Sequence, residues 1–337
     1  MRVLVTGGAG YIGSHTCLEL LRSGYAVHVI DNLCNGHLEA LERVQRISGQ
    51  HVGFTNCDVR DSKTLIDVFK AFEPEAVIHF AGLKSVGESF SNAEVYADVN
   101  VGGTRVLLEA MDSVGCNTIV FSSSATVYGK PRYLPCDENH PLEPINPYGR
   151  TKLIGENLLR EWSSVEDGRH AVALRYFNPV GAEPSGKIGE HPIGVPSNLM
   201  PYVAQVAIGH RDCLLVFGDD YDTPDGSGVR DYIHVVDLAL AHIAAVKNVQ
   251  DLEAFEAINI GRGVGVSVFE ILHEFKRVSG TDIPYKITQR RDGDAPAVWA
   301  DASLSGKKLA FSAHRGLNEM CVDTWAWQAS NPNGYAE

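Results

Sequence analysis

Several features that would set a chain apart from ordinary globular proteins are missing from this sequence. Its 337 residues contain no low-complexity tract, no internal repeat and no run of like charge. No apolar run approaches the roughly 20 residues of a membrane-spanning helix, and the strand pattern from Arg2 leaves no room for a signal peptide. A formal net charge of −13 disfavours the basic face that nonspecific binding of nucleic acid requires. We therefore expect a cytoplasmic protein with no membrane partner and no nucleic-acid partner.

Cysteine is scarce as well, with seven scattered residues and no C-x-x-C pair. An odd number at such positions is typical of reduced thiols, not of a disulfide framework. His79, His234 and His242 each lie within an apolar run, without the clustering that metal ligands show. We expect these histidines in the core or on helix faces, and no metal site.

What the sequence does contain is a regular alternation of strand-like and helix-period segments. In the first half, runs such as RVLVT, AVHVID and TIVFSSS are separated by helical segments, including long ones over about residues 92–114 and from residue 147. This alternation predicts a parallel sheet covered by helices on both faces, the α/β, Rossmann-like doubly wound class. The second half has more Gly and Pro and predicts a smaller mixed α/β domain.

A glycine-rich loop joins the first predicted strand to the first predicted helix. In VLVTGGAGYIGSH, Gly7, Gly10 and Gly13 permit a tight turn and a close approach of a pyrophosphate to the helix N-terminus. The second strand ends in Asp31, eighteen residues after Gly13, where a carboxylate can accept hydrogen bonds from an adenosine ribose. The following NLCN holds no arginine for a 2′-phosphate, so NAD is favoured over NADP. Asp58, after the third strand, fits an adenine contact or an ordinary helix cap equally well.

These patterns predict two domains. Residues 1–177 form the expected NAD-binding domain, and residues 178–337 form the expected substrate domain. The segment DYIHVVDLALAHIAAV predicts that elements at about 230–260 return to the main sheet.

Tyr148 and Lys152 stand four residues apart in NPYGRTK, on one face of a predicted helix. A neighbouring ammonium and a positively charged nicotinamide would lower the pKa of a phenol, which is ordinarily about 10. Alone, a Y-x-x-x-K pattern is more often a plain helix start with proline at its first position. Upstream, however, TIVFSSS places Ser122, Ser123 and Ser124 at the carboxyl end of a strand, the edge at which open parallel sheets bind ligands. The combination favours a redox site.

The glycine loop, the serine-ended strand and Y-x-x-x-K resemble the extended short-chain dehydrogenase/reductase superfamily, in its nucleotide-sugar branch. The likeness is closest to the UDP-glucose 4-epimerase family, and it is carried by TGGAGYIGSH, DNLCN, VIHFAGLKSVGES, FSSSATVYG, RYFNPVGAEPSG, NLMPYVAQVA and GVRDYIHVVDLA. It runs from Met1 to DTWAWQ. The resemblance implies an isomerase of galactose metabolism that interconverts UDP-galactose and UDP-glucose through a 4-keto sugar, with NAD as cofactor. It also implies a homodimer, formed by the helices near 92–114 and 147–163.

Residue by residue, the resemblance makes Tyr148 the base for the sugar 4-hydroxyl, Ser124 a partner of the reacting oxygen, and Lys152 the holder of the nicotinamide ribose. It implies cofactor contacts from Gly7, Gly10, Tyr11, Ile12, Gly13, Asp31, Asn32, Asn35, Asp58, Val59, Phe80, Ala81, Gly82, Lys84, Asn100, Ser122, Tyr148, Lys152 and Phe177. It implies UDP-sugar contacts from Lys84, Ser124, Tyr148, Asn178, Asn198, Leu199, Phe217, Arg230, Tyr232, Arg291, Asp294 and Val298.

Two other activities compete with epimerisation. Related sugar dehydratases carry an acidic pair after the fifth strand, which eliminates water, whereas SSSATVYG holds no Asp or Glu at that place. Dehydration is therefore disfavoured. A silent NAD-binding regulator would use the same fold, but such a protein need not keep Ser124, Tyr148 and Lys152 together.

Val298 departs from the bulky tyrosine that some bacterial members of the family carry in the segment DAPAVWADAS. In the family, a small residue here goes with acceptance of N-acetylhexosamines. We expect turnover of UDP-N-acetylglucosamine and UDP-N-acetylgalactosamine too, unless neighbouring side chains refill the space.

Overall fold

The computed structural model describes residues 1–291 and 293–335, so residues 292, 336 and 337 of the predicted second domain lie outside the described part. Its strands are β1 (Arg2–Thr6), β2 (Ala26–Asp31), β3 (Val52–Asn56), β4 (Ala76–His79), β5 (Thr118–Ser124), β6 (His170–Tyr176), β7 (Asn178–Val180), β8 (Leu214–Phe217), β9 (Val229–His234), β10 (Phe255–Ile260), β11 (Gly265–Ser267), β12 (Tyr285–Thr288) and β13 (Ala297–Val298). Its α-helices are α1 (Tyr11–Arg22), α2 (Leu38–Ser48), α3 (Ser62–Phe72), α4 (Val86–Ser91), α5 (Ala93–Tyr96), α6 (Gly103–Asp112), α7 (Pro147–Val165), α8 (Leu199–Ala207), α9 (Val235–Asn248), α10 (Val268–Ser279), α11 (Ser303–Leu309) and α12 (Leu317–Ser330). Within the described ranges, no helix has both the length and the apolar character needed to cross a bilayer.

Seven strands form one sheet in the order β10-β6-β5-β4-β1-β2-β3, and every neighbouring pair runs parallel. The chain adds β2 and β3 on one side of β1 and then returns to place β4 on the other side. This reversal opens a crevice at the carboxyl ends of β1 and β4, the position at which doubly wound sheets bind ligands. The predicted α/β, Rossmann-like fold class is confirmed.

Two apolar clusters cover the two faces of this sheet. In β1, Val3 and Val5 pack into a cluster with α1 and α9, whereas Leu4 packs into a second cluster with α3, α6 and α7. Successive side chains of a strand point to opposite faces, so a strand covered on both sides must be apolar throughout. The unbroken runs in the sequence therefore have a direct structural cause.

The second half of the chain contributes elements to two places. β10 lies beside β6 at the edge of the large sheet, and α9 packs on α1. The prediction that the strand in DYIHVVDLALAHIAAV returns to the main sheet is wrong, because β9 pairs with β7, β11 and β13 instead. The other strands form a four-stranded sheet of β11, β9, β13 and β7 and a pair of β8 and β12. A third apolar cluster joins these strands to α8, α10 and α12. The carboxyl ends of β5 and β6 thus lead directly into the second group of elements through β7.

The helix predicted over about residues 92–114 contains an irregularity. α5 continues into a π-helical turn, Ala97–Gly102, and α6 follows from Gly103. Turns of this kind occur often at functional sites. Apolar periodicity of 3.6 residues does not indicate one, so the sequence predicted a uniform helix here.

Candidate active site

The loop between β1 and α1 has no space for side chains at two of the predicted glycines. Gly7 has a φ of +70°, and a Cβ there would lie 2.6 Å from the Ala81 nitrogen in the loop after β4. A Cβ on Gly13 would lie 2.2 Å from the Gly7 carbonyl oxygen. Gly10, which carries no side chain to cap a helix, occupies the N-cap of α1. The first amides of α1 are thereby left for an anion, and the loop forms a cradle suited to a pyrophosphate.

Asp31 ends β2 beside this cradle and is 8% exposed. Its carboxylate accepts hydrogen bonds from the backbone amides of Ala9 at 3.0 Å and Leu33 at 2.8 Å. Burial raises the pKa of this carboxyl, and the two amides oppose the rise. Each carboxylate oxygen keeps a lone pair with which it can accept a ribose hydroxyl.

Asp58 follows β3 and belongs to a charged group on the same rim. It accepts a hydrogen bond from Asn32 Nδ2 at 3.0 Å and from Arg60 Nε and Nη2 at 2.8 and 2.7 Å. Arg60 Nη1 also reaches Asp98 at 2.5 Å. The guanidinium holds the pKa of Asp58 well below its usual range. Sequence reasoning did not single out Arg60, although NCDVRD places it two residues after Asp58.

Tyr148 and Lys152 lie in the first turns of α7. Pro147 occupies the first position of this helix, and the Asn146 side chain caps it by accepting the Gly149 amide hydrogen at 2.7 Å. The cap and the proline determine where the helix begins, so the spacing of four residues puts both side chains on one face. Lys152 Nζ lies 5.7 Å from the centroid of the Tyr148 ring.

Ser124, the last residue of β5, meets the same phenol. Burial raises the pKa of Tyr148 to about 12, and the neighbouring Ser124 side chain opposes that rise. Lys152 is 5% exposed, and burial lowers its pKa to about 8. Among the described residues, no carboxylate forms an ion pair with this ammonium. Its charge is therefore available to a phenolate or to a ligand.

The residues predicted to bind substrate lie on several elements of the second half. Asn178 on β7 pairs with Tyr232 on β9, and Arg230 on β9 pairs with Val298 on β13. Val298 packs against the apolar cluster that includes Phe177. This sheet therefore brings Asn178, Arg230, Tyr232 and Val298 close to the end of β6.

Two pairs of residues predicted to bind substrate contact each other in the second half of the chain. The Arg291 guanidinium carbon lies 3.8 Å from the centroid of the Phe217 ring. The Nη2 of Arg230 lies 3.8 Å from an Asp294 carboxylate oxygen. Each predicted arginine is thus held by a residue that was predicted with it.

Comparison with known proteins places the chain in a family. A sequence model of the family described as GDP-mannose 4,6 dehydratase matches residues 4–324. The UDP-glucose 4-epimerase of Bacillus subtilis is 53% identical over 335 residues, with 99% of both chains covered. The chain belongs to the UDP-glucose 4-epimerase family. The human UDP-glucose 4-epimerase is 52% identical over 341 residues, covering 99% of this chain and 98% of the relative. A crystal structure of UDP-glucose 4-epimerase from Bifidobacterium longum in complex with NAD+ and UDP is 48% identical, with a TM-score of 0.95 and coverage of 99% of this chain and 100% of that chain.

Glu190 is a residue of this epimerase-family chain that sequence reasoning missed. Its side chain is 9% exposed, and its Oε1 accepts hydrogen bonds from Lys84 at 3.2 Å and from Asn198 at 3.3 Å. Both partners are predicted ligand contacts, one from each predicted domain. A lone acidic residue in GKIGEHPIG carries no sequence signal of such a link, because only the fold brings Lys84 to it.

Asn100, in the π-helical turn, shapes the loop after β4. Its Oδ1 accepts the Leu83 amide at 2.8 Å, and its Nδ2 donates to the Leu83 carbonyl and to Thr151 Oγ1, each at 3.0 Å. A Cβ on Gly82 would lie 2.9 Å from this Oδ1. Both amide hydrogens are used within the protein, so a contact from Asn100 to a cofactor must use its oxygen.

The remaining predicted residues surround the crevice with different exposure. Tyr11 and Ile12 open α1, and the Tyr11 hydroxyl donates to the Gly181 carbonyl at 2.7 Å. Val59 is a core residue, which leaves its backbone as the part able to meet a ligand. Of the others, Asn35, Gly82, Lys84, Asn178 and Asn198 are exposed, Phe80, Ala81 and Leu199 are partly buried, and Ser122 and Phe177 are buried.

The histidines of the apolar runs have internal partners in this epimerase fold. His79 is 2% exposed between the Thr6 and Thr104 hydroxyls, at 2.6 and 3.1 Å. His234 Nε2 lies 3.1 Å from Asp323, and His242 Nε2 lies 3.1 Å from the Tyr176 hydroxyl. In the part of the chain that the structure describes, no three His, Cys, Asp or Glu residues form a group able to hold a metal.

Proposed function

We propose that this protein is an NAD-dependent UDP-glucose 4-epimerase (EC 5.1.3.2), which interconverts UDP-galactose and UDP-glucose. One observation carries the proposal. Ser124, Tyr148 and Lys152 meet at the carboxyl end of β5 in a chain that is 53% identical to an enzyme of that name.

NAD fits the crevice at the ends of β1 and β4. The glycine cradle suits its pyrophosphate, and the carboxylate of Asp31 suits an adenosine ribose diol while repelling a 2′-phosphate. Family structures from Bifidobacterium longum and Brucella ovis are described as complexes with NAD+ and NAD, which supports the same cofactor here. Bound NAD would supply reversible hydride transfer at sugar C4, by which a 4-keto sugar would form and be reduced again on its opposite face.

Tyr148 is the proposed acid and base. In the ligand-free protein its pKa of about 12 keeps the phenol protonated at neutral pH, so phenolate must be favoured by nearby positive charge. Lys152, with a pKa of about 8, is charged at that pH and lies against the ring. Ser124 lies beside the phenol, where its side chain opposes the rise in the pKa of Tyr148, and it is placed to orient the sugar 4-oxygen. The proton then moves between that oxygen and Tyr148 in both directions of the reaction.

The segment after β5 supports epimerisation over dehydration. Residues 122–129 are SSSATVYG, which contains no carboxylic acid to protonate a departing hydroxyl. A 4-keto sugar bound here can be reduced again by the cofactor, but this segment supplies no acid for elimination of water.

The proposed UDP-sugar site lies between the end of β6 and the elements of the second half. Arg230 and Arg291 supply planar guanidinium groups for a diphosphate. Phe217 offers an aromatic face already covered by Arg291. We also assign Asn178, Asn198, Leu199, Tyr232 and Asp294 to this site.

Val298 supports a wider substrate range. Its side chain is partly buried against the cluster of Phe177, Val127, Tyr128 and Ala300. A tyrosine at this place would add a ring to the same space. We propose that UDP-N-acetylglucosamine and UDP-N-acetylgalactosamine are also epimerised.

The predicted organisation is kept as part of the proposal. Residues 1–177 are assigned to an NAD-binding domain and residues 178–337 to a substrate domain, with β10 completing the large sheet from the second half. A homodimer is supported by apolar side chains exposed on α5 and α7, Val95 at 51% and Ile154 at 42%. A cytoplasmic location is supported by the cysteines, which are unpaired throughout the described residues.

The decisive experiment supplies UDP-galactose to purified protein without any added reductant or oxidant. We expect UDP-glucose to accumulate to an equilibrium mixture, and Tyr148→Phe to lose on the order of 10²- to 10⁴-fold in kcat. Protein that holds NAD but gives no turnover would instead be a silent regulator. Formation of a 4-keto-6-deoxy sugar would identify a dehydratase.

A further inference from the structure

A buried charged cluster lies immediately behind the proposed catalytic residues. Its centre is Glu156 on α7, Arg175 on β6 and Ser123 on β5, which are 0%, 2% and 1% exposed. Arg175 donates from Nε and Nη2 to the two oxygens of Glu156, at 2.9 and 2.7 Å. The Ser123 hydroxyl donates to Glu156 Oε1 at 2.5 Å. The residue after Ser123 is Ser124, so this bond ties α7 to the strand end that carries the proposed catalytic serine.

The cluster extends to the segment that carries Val298. Arg175 Nη1 donates to the Tyr128 hydroxyl at 3.1 Å, which in turn donates to Asn259 Oδ1 at 2.6 Å. Asn259 Nδ2 donates to the Cys136 carbonyl at 3.0 Å, and the Cys136 amide donates to the Trp299 carbonyl at 2.9 Å. One connected network thus joins β5, α7, β6, β10 and the chain just after Val298.

Helix geometry aligns this network with the proposed catalytic face. Tyr148, Lys152 and Glu156 recur every four residues along α7 and therefore lie on the same side of it. Between Lys152 and Glu156, Gly155 lets α7 approach β5, because a Cβ there would lie 2.6 Å from the Phe121 ring. The contact sets how close the helix comes, whereas the bonds of Glu156 set its register along the strand.

Net stabilisation does not explain such a pair. Replacing a buried ion pair by well-packed apolar side chains is often neutral or stabilising, since desolvation offsets the Coulombic gain. A bidentate contact between a guanidinium and a carboxylate instead fixes the relative position and orientation of the two side chains. An apolar contact of equal area would permit small sliding movements of α7.

We propose that Glu156 and Arg175 are positioning residues, whose bonds with each other and with Ser123 hold α7 in the register that sets Tyr148 and Lys152 against Ser124. The inference rests on the proposed epimerase function. Arg175 also has a second role. Because it binds both oxygens of Glu156, it keeps that carboxylate from pairing with Lys152 one helical turn away.

The test compares Ser123→Ala, Arg175→Met and the double variant Glu156→Leu/Arg175→Met with the parent enzyme. Turnover of UDP-galactose is measured per molecule of folded protein with bound NAD, so that a loss of fold does not count as a loss of rate. Ser123→Ala leaves the ion pair in place and is expected to lower kcat several-fold with KM nearly unchanged. The double variant is expected to lose on the order of 10- to 100-fold in kcat, the range that a small misplacement produces. Arg175→Met is expected to be slower still, because the released Glu156 can engage Lys152, so removing Glu156 as well restores part of the rate.

Asp237→Asn is the matched control, because Asp237 is also a buried carboxylate bound by an arginine, Arg315, but lies on α9. It is expected to lower the thermal midpoint and to leave kcat unchanged. Ser123→Ala or a double variant with the parent's kcat would overturn the proposal. If the double variant does not fold, Ser123→Ala decides alone. A parent enzyme without epimerase activity would instead overturn the proposed function, so the two failures are distinct.

Discussion

The Lys152 ammonium is a charge buried for function, and its removal should stabilise the ligand-free protein. Burial lowers its pKa from 10.5 to about 8, so below about pH 8 the folded protein carries a charge that water would hold more favourably. We expect Lys152→Met to raise the free energy of unfolding at pH 7 by up to about 3 kcal/mol, at 1.36 kcal/mol per unit of pKa shift. The same variant should lose on the order of 10²-fold or more in kcat.

The pH dependence of unfolding tests the predicted stabilisation by Lys152→Met. Between about pH 8 and 10.5 the folded parent has lost the Lys152 proton while the unfolded chain keeps it, so the stability of the parent rises with pH in that window. The advantage of Lys152→Met should therefore shrink from pH 7 to pH 10. Denaturant unfolding of cofactor-free protein at both pH values measures it. A variant less stable than the parent at pH 7 would contradict the account.

Val298 is the residue at which substrate range should change. Val298→Tyr adds a ring beside Phe177, so we expect turnover of the N-acetylated UDP-sugars to fall about 10- to 200-fold relative to UDP-galactose. The ratio of kcat/KM values for the two substrates measures the effect. A parent enzyme that turns over UDP-galactose but neither N-acetylated sugar would show that neighbouring side chains fill the space.

Binding of the proposed cofactor depends on the shape of the glycine loop between β1 and α1. Gly13→Ala would put a Cβ 2.2 Å from the Gly7 carbonyl oxygen, so the loop must open and the cradle is lost. We expect purified Gly13→Ala to carry little bound NAD. Gly87→Ala on α4 is the control, because its Cβ would meet nothing within 4 Å. It should keep NAD and gain up to about 1 kcal/mol in stability from improved helix propensity. Absorbance of bound cofactor per chain compares the two, and normal NAD content in Gly13→Ala would contradict the assignment.

At the scale of elements, long periodic segments were predictable and irregular ones were not. The sequence predicted a helix from residue 147, and α7 begins at Pro147. It did not predict the π-helical turn around Asn100, because bonds to Leu83 and Thr151 from other parts of the chain form there. A strand as short as β13, which spans only Ala297–Val298, carries no periodicity to detect.

At the scale of the whole molecule, the exposed apolar side chains of α5 and α7 predict self-association. Val95 and Ile154 are 51% and 42% exposed. We expect Val95→Asp/Ile154→Asp to shift the protein from dimer to monomer in light scattering, because burying either carboxylate in an interface is unfavourable. Leu215→Asp on β8, at a residue 43% exposed, is the control and should leave the oligomeric state unchanged. A parent protein that is monomeric at high concentration would contradict the proposed dimer.

The fold class and the family were predictable from the sequence, because both depend on local pattern, and patterns of the same kind predict the proposed catalytic trio. Apolar runs specify doubly covered strands, glycines specify a cradle, and the spacing of Tyr148 and Lys152 specifies one helix face. The tertiary structure alone decided which distant groups meet. Glu190 joins Lys84 to Asn198, and Glu156 joins Arg175 to Ser123. The contacts of Glu190 with Lys84 and of Glu156 with Ser123 join residues 106 and 33 positions apart, so no local pattern in the sequence predicts them. They form only when the folded chain brings the segments that carry them together.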